Sequence, residues 1–579
     1  MGAAPELICA NWTPDNPECE TVGRFSCKNC LLVLYCGSKC QKSHWILHKS
    51  DCRSPLGKKT WSPDWVLENR DPVFVRNGPG VQFGRGKYLW GNVPAFDVVQ
   101  LASNEGENYG EPLRLLFAAS GDVRNIVKTI AQLPSSYVQR VDVTMNDRDI
   151  DIVARNVILL LVALVVDDVD AAINCIIHVW YSARICKSHL DVLQQRIRPL
   201  IQTVCDKIKS KPPESLQAKT WSFGEQRSLR LVLTKSSWGS LLSFLDTPEG
   251  LTEEQAHQIR RAVTMAESRK DYRDRSLLCQ PSPARRVASI RFREDGLLLP
   301  FGSPRRDSDF VHPNPTFFQT ANTWPMFDNA DPLHGWSLKE VEDCPNGPAT
   351  ADIYGKLHCH ITTLLRQFLL RVSSSPISFR LFQMDATDLS EHLEMGSFDR
   401  VEVSNISDGG YLGIHRILQS MIPLLRNPIA NPHATLITLF MNAVDECLTD
   451  SEKNSLMDPG GPTMDRLFKY LPPQQWRGPP TKNSPDSIKF VYANDLVATY
   501  EKVFDRYMTR LGFREVGEFI GAAMKDEHTI VENWPFRLKL QPGQPGAQEE
   551  FDSLLAGGMS GKERYVEWKR IGVYGDEHE

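Results

Sequence analysis

Eight side chains able to bind a soft metal crowd the start of this 579-residue chain: Cys9, Cys19, Cys27, Cys30, Cys36, Cys40, His48 and Cys52. Seven of its fourteen cysteines fall before position 53 and the rest are scattered singly. A secreted disulfide scaffold would be short and cysteine-dense throughout, so metal-bound thiolates in a reducing compartment are expected instead. The opening MGAAPELICANWTPD also lacks the basic-then-apolar pattern of a secretory leader, which points to the cytoplasm or nucleus. Eight donors suffice for two closed tetrahedral zinc sites of the structural type, with no open position for metal catalysis. In Cys27-Lys-Asn-Cys30 the two intervening residues let both sulfurs turn onto one ion. Cys36 and Cys40, like His48 and Cys52, stand four apart, which on a helix puts both donors on one face. His44 is the competing imidazole, but the gaps of seven and three residues around position 48 favour His48.

The string YCGSKCQKSHWILHKSDC closely resembles the second half of a MYND-type zinc finger, including its Tyr-Cys, Cys-Gln and Trp-x-x-His elements. The resemblance implies interleaved sites: Cys9, Cys19, Cys36 and Cys40 on one ion, and Cys27, Cys30, His48 and Cys52 on the other. Nine residues separate Cys9 from Cys19 where the family usually has two, so the loop ANWTPDNPE must fold back. The resemblance further implies protein or peptide partners, proline-rich peptides among them. Lys28, Lys39, Lys42 and Lys49 make the finger locally basic, but a formal net charge of -5 gives no global field for nucleic acid or an anionic membrane. The most apolar run, Val157 to Val166, is half the roughly 20 residues a bilayer span needs, and reads as a buried core helix.

Beyond a finger over residues 1–55, an irregular linker is expected over 56–95, rich in Pro, Gly, Trp and charge. Leu113–Ala119 then reads as a strand, VRNIVKTIAQL as a helix and RVDVTM as a second strand, a β-α-β unit that implies a parallel sheet. A large, mostly helical insertion follows over about 152–375 and ends in a helix from Tyr354 to Val372. Phe379–Met384, Phe398–Ser404 and Ala434–Phe440 read as three more strands. Residues 451–579 read as a mostly helical extension, with helices around Val497–Leu511 and Lys562–Arg570.

In this order the strands of 96–450 resemble a degenerate Rossmann-type methyltransferase core, in which ligands sit at the carboxyl ends of the strands. Gly121 and Asp122 follow the first strand, Asp147 ends the second, Asp385 the third and Asn405 the fourth. The resemblance implies that Asp147 would meet the ribose and Asp385 the adenine of S-adenosylmethionine. Against it, SGDVRN holds one glycine where a working cofactor loop has several, and the acids are also ordinary caps. His358-Cys359-His360 reads as packing rather than a metal site, because adjacent residues diverge around a helix. The strings YLWGNVPAFDVVQLASNEGE, SGDVRNIVKTI, NDRDIDIVARN, HVWYSA, HPNPTFF and FDRVEVSNISDGGYLG resemble a fungal group of MYND proteins with a conserved domain of unknown function. That domain is similar to the N-terminal part of the dynein axonemal assembly factor 3 family. The expected function is a zinc-binding adaptor whose α/β domain is non-catalytic, with no catalytic residue assigned; the alternative is an S-adenosylmethionine-dependent methyltransferase.

Overall fold

The computed structural model describes residues 7–571 except 14, 15, 17, 18, 20, 21, 79, 306–308 and 477–480. Part of the loop expected to fold back between Cys9 and Cys19 therefore lies outside the described residues. The finger itself is a short hairpin, Phe25–Ser26 against Leu34–Tyr35, followed by helix α1, Ser38–Cys52. The stretch after it holds short helical turns whose aromatic residues Trp65 and Phe74 are buried against Tyr272.

Nine strands form the central sheet: β1 Leu113–Phe117, β2 Val141–Asp147, β3 Leu216–Phe223, β4 Arg227–Thr234, β5 Ile377–Gln383, β6 Arg400–Glu402, β7 Thr435–Phe440, β8 Ala522–Met524 and β9 Arg564–Arg570. Their spatial order is β8-β9-β7-β6-β1-β2-β5-β4-β3. The five central strands, β7-β6-β1-β2-β5, are all parallel. The chain winds outward from β1 through β2 to β5, then returns to the other side of β1 for β6 and β7. That reversal opens a crevice at the carboxyl ends of β1 and β6, where open α/β sheets bind ligands. Such strands are covered on both faces, and β7 shows the consequence: all six residues of TLITLF are buried. Along β1, Leu113, Leu115 and Phe117 enter one apolar layer while Leu116 enters the other.

Helices α2 (Arg124–Gln132), α3 (Ile150–Val165), α4 (Val169–Tyr181) and α6 (Ile353–Ser374) cover the first layer, together with α5 (Pro283–Asp295). The run from Val157 lies inside α3, where Val157 to Leu164 are all buried. Asp149 caps α3 through the Asp151 amide, and Asp168 caps α4 through that of Ala171.

Two segments depart from expectation. The insertion contributes the hairpin β3–β4, which adds to the sheet beyond β5, with β4 parallel to β5. Its period-two signal, with Leu229, Leu231 and Leu233 buried and Arg230 exposed, sits inside an otherwise helical stretch. Residues 564–570, expected to be helical, form β9, antiparallel to both β7 and β8. Four consecutive residues there, Tyr565 to Trp568, are buried, as the neighbours on both sides require. The expected boundary near 450 therefore cuts across the sheet rather than between bodies.

The finger is part of this body. Its cysteines, Leu32, Val33 and Tyr35 belong to the same buried cluster as β1, α3 and α6. The Ala351 amide donates to the Leu31 carbonyl at 3.1 Å, and Arg291 on α5 pairs with Asp51 on α1 at 3.1 Å. Arg286 on α5 donates to the Leu56 and Lys58 carbonyls, each at 2.9 Å. Gly302 makes the contact close: a Cβ there would meet Ala10 Cβ at 3.1 Å.

Candidate metal centres and the strand-end cavity

The fold-back of the N-terminal segment brings two quartets together, Cys9 with Cys19, Cys36 and Cys40, and Cys27 with Cys30, His48 and Cys52. In each, the four ligand atoms lie within 4.8 Å of one another. Cys9 is wholly buried despite its distance in sequence from Cys19. The backbone returns through Ala10, whose amide donates to the Leu34 carbonyl at 2.8 Å. Helix α1 supplies Cys40, His48 and Cys52 from one face, all buried. His48 Nε2 lies 3.4 Å from Cys30 Sγ, and burial pushes its imidazole down to about 4, leaving it neutral as a ligand must be. His44 instead meets the Tyr35 hydroxyl at 3.0 Å and stacks on His48, outside both quartets. The donor chemistry, one all-thiolate set and one with three thiolates and an imidazole, is consistent with two structural zinc sites.

The His358-Cys359-His360 triplet does diverge. On α6, His358 faces a seam beneath the finger, Cys359 meets Cys344 with sulfurs 3.0 Å apart, and His360 packs against Trp336 and Glu340.

At the carboxyl ends of the parallel strands lies a cavity of about 770 Å³. Gly121, Asp122, Asp147, Asp385 and Asn405 all line it. Their side chains are nonetheless occupied to different degrees. Asp122 is buried and accepts from the Gly91 amide at 2.9 Å and the Trp180 indole at 3.2 Å, while pairing with Arg124 at 2.5 Å. Asp147 accepts from the Gly121 amide at 3.1 Å and the Asp149 amide at 2.9 Å, and burial pushes its carboxyl above the usual range. Asp385 caps the turn after β5 by accepting from the Thr387 amide and hydroxyl at 3.0 and 2.8 Å, which hold its carboxyl low.

Two further residues at this rim were not singled out by sequence reasoning. Glu402, at the end of β6, is 3% exposed and accepts from the Ser404 amide at 2.7 Å. Burial pushes its carboxyl up to about 7. A glutamate flanked by Val401 and Val403 at the end of a strand legible in sequence is a signal that could have found it. Ser404 has a φ of +51°, a conformation that favours glycine and that no sequence pattern announces.

Beneath the cavity the family-like strings meet in one buried knot. Trp90 donates to the Trp180 carbonyl at 2.7 Å, and Arg155 donates to the same oxygen at 2.6 Å. Asn314 binds three carbonyls of the α4 end, those of His178, Val179 and Ser182, at 2.8–3.1 Å. Gly91 is required there, because a Cβ would fall 2.0 Å from the Arg124 guanidinium carbon. HVWYSA and HPNPTF thus build the floor beneath the cavity, while YLWGNV and SGDVRN also line it, through Trp90, Gly91, Gly121 and Asp122 among others.

Residues 16–52 match the family model described as MYND finger, and residues 89–185 match one described as a domain of unknown function (DUF4470). The finger match begins after Cys9, which the structure places beside Cys19, Cys36 and Cys40 as the sequence led one to expect. Among curated proteins the chain is similar to histone-lysine N-methyltransferase ASHR1 of Arabidopsis thaliana, 26% identical over 150 residues. That stretch is 23% of this chain and 28% of the relative, so the chain spans under a third of the length of the curated protein it matches. No solved structure matches the chain. Among the described residues no helix is long and apolar enough to cross a membrane.

Proposed function

We propose that this chain is a zinc-stabilised protein-interaction protein, in which the finger docks peptide segments and the α/β domain serves as its rigid base. The observation that carries this reading is the closure of both quartets: four protein donors each leave no coordination position for a substrate. Zinc is held by Cys9, Cys19, Cys36 and Cys40, and by Cys27, Cys30, His48 and Cys52. Proline-rich peptides are the first class to try, with neither nucleic acid nor membrane as partner, and the site of action is the cytoplasm or nucleus. Kinship with fungal MYND proteins and with dynein axonemal assembly factor 3 is part of the same proposal. The test is selection of displayed peptides on the zinc-loaded full-length protein, repeated after chelation and on Cys30→Ser. Peptides retained only by the metal-loaded protein support the reading. A set that binds all three forms alike removes the finger from it.

A second reading rests on the cavity. The order β7-β6-β1-β2-β5, continued by an antiparallel β9 and then β8, supports a methyltransferase-like sheet whose crevice would take S-adenosylmethionine. The Arabidopsis relative, a histone-lysine N-methyltransferase, adds protein lysine to the substrates to be tried. Against it stand the single loop glycine, its amide already taken by Asp147, and Asp122 locked under Trp180. Calorimetric titration with S-adenosylmethionine, repeated on Asp147→Ala and Asp385→Ala, decides the matter. Micromolar binding lost in both variants favours the enzyme, and no heat from folded protein leaves the cavity without that ligand.

A further inference from the structure

Helix α1 is amphipathic in an inverted sense. Its inward face carries Cys40, His44, His48 and Cys52 at four-residue intervals, three of them fully buried. Its outward face carries Lys39, Lys42, Ile46 and Lys49 at intervals of three and four, with Leu47 beside Ile46. Ile46 and Leu47 are 76% and 71% exposed. In an ordinary surface helix aliphatic residues point to the core and anchor the element. Here the ligand set anchors it, so folding gives no reason for two aliphatic side chains to stand in water.

Part of the finger is in use. Leu32 and Val33 are buried against the α/β body, Leu31 is bonded to Ala351, and Asp51 is engaged by Arg291. The outward face of α1 is free. It is also one-signed: between residues 22 and 53 the chain carries Arg24, Lys28, Lys39, Lys42, Lys49 and Arg53 against the single acid Asp51. This concentration sits on a chain of net charge -5, so it is local to this stretch.

We propose that the outward face of α1 is a docking surface for an acidic, amphipathic peptide segment, whose apolar residues cover Ile46 and Leu47 while its carboxylates meet Lys39, Lys42 and Lys49. The inference rests on the peptide-docking reading above and narrows it to a face and a partner chemistry. Like charges would keep basic segments away, and the apolar pair selects among acidic ones.

The test uses full-length zinc-loaded protein and two fluorescein-labelled probes read by anisotropy. One peptide alternates glutamate pairs with leucine and phenylalanine; the other is proline-rich and uncharged. The acidic probe is expected to bind, to weaken about ten-fold in an Ile46→Glu/Leu47→Glu double variant or in Lys39→Glu/Lys42→Glu, and to weaken further as salt rises. All four positions are exposed, so the variants keep their fold, and unchanged zinc content verifies it. If the acidic probe binds variants and parent alike, or only the proline-rich probe binds and ignores the variants, this face is overturned while peptide docking stands. If neither probe binds the parent, both are overturned.

Discussion

Glu402 ends β6 with 3% of its surface exposed, and burial pushes its carboxyl up to about 7 even though the Ser404 amide and Arg124 favour its charged form. The direction of its effect on stability follows. Between the ordinary glutamate range and about 7 the folded protein binds a proton that the unfolded chain has released, so stability falls as pH rises through that window and is level above it. The loss is on the order of 3 kcal/mol at most, from about 1.4 kcal/mol per unit. Glu402→Gln should therefore unfold at higher urea than the parent at pH 8 and at similar urea near pH 5, with zinc present throughout. An equal difference at both pH values would mean that Glu402 titrates normally. Asp122 teaches a different lesson. Sequence placed it at the rim after β1, but its bonds to Gly91, Trp180 and Arg124 make it an anchor of the cavity floor. Residue type and position were legible there; which way the carboxylate turns was not.

At the scale of elements, the parallel strands were legible because each is a short run of successive or alternating apolar residues closed by turn-forming ones. The expectation for 379–384 corresponds to β5 at Ile377–Gln383, and that for 434–440 to β7 at Thr435–Phe440. β9 was not legible. RYVEWKR mixes charge with aromatics, and it becomes a strand because β7 and β8 pair with it from both sides. Its acid Glu567 is fully buried because the amides of Thr529, Ile530 and Val531 all donate to it and Lys525 pairs with it at 3.2 Å. Trp568 fixes the register, fully buried with its indole donating to the Thr438 hydroxyl at 3.1 Å. Trp568→Ala should cost about 3–5 kcal/mol, by cavity formation and a lost partner for Thr438. Urea unfolding measures it. A cost under about 1 kcal/mol, within the range of ordinary surface changes, would mean that β9 is dispensable to the sheet.

At the scale of the whole molecule, the finger shares one apolar cluster with the α/β body, so metal at its two quartets would hold more than a module. Each structural site can supply on the order of 10 kcal/mol, comparable to the stability of an entire domain. Stripping zinc should therefore release α1, uncover the surface around Gly302, Leu32 and Val33, and lower the melting temperature of the whole protein. Calorimetry with and without chelator, alongside binding of a hydrophobic dye, reads both effects. A chelated protein that melts with an unchanged main transition would show the finger to be an appendage.

The sequence alone determined what depends on short range: donors spaced so that two residues bend onto one ion or four share a helix face, and apolar runs long enough for buried strands. Tertiary structure decided what depends on distant partners. The hairpin within the insertion and a charged C-terminal segment both become strands of one sheet. Four separated strings converge under a single cavity. The pairings of β6 with β1, of β5 with β2 and of β9 with β7 join segments far apart in the chain, and no local pattern encodes them.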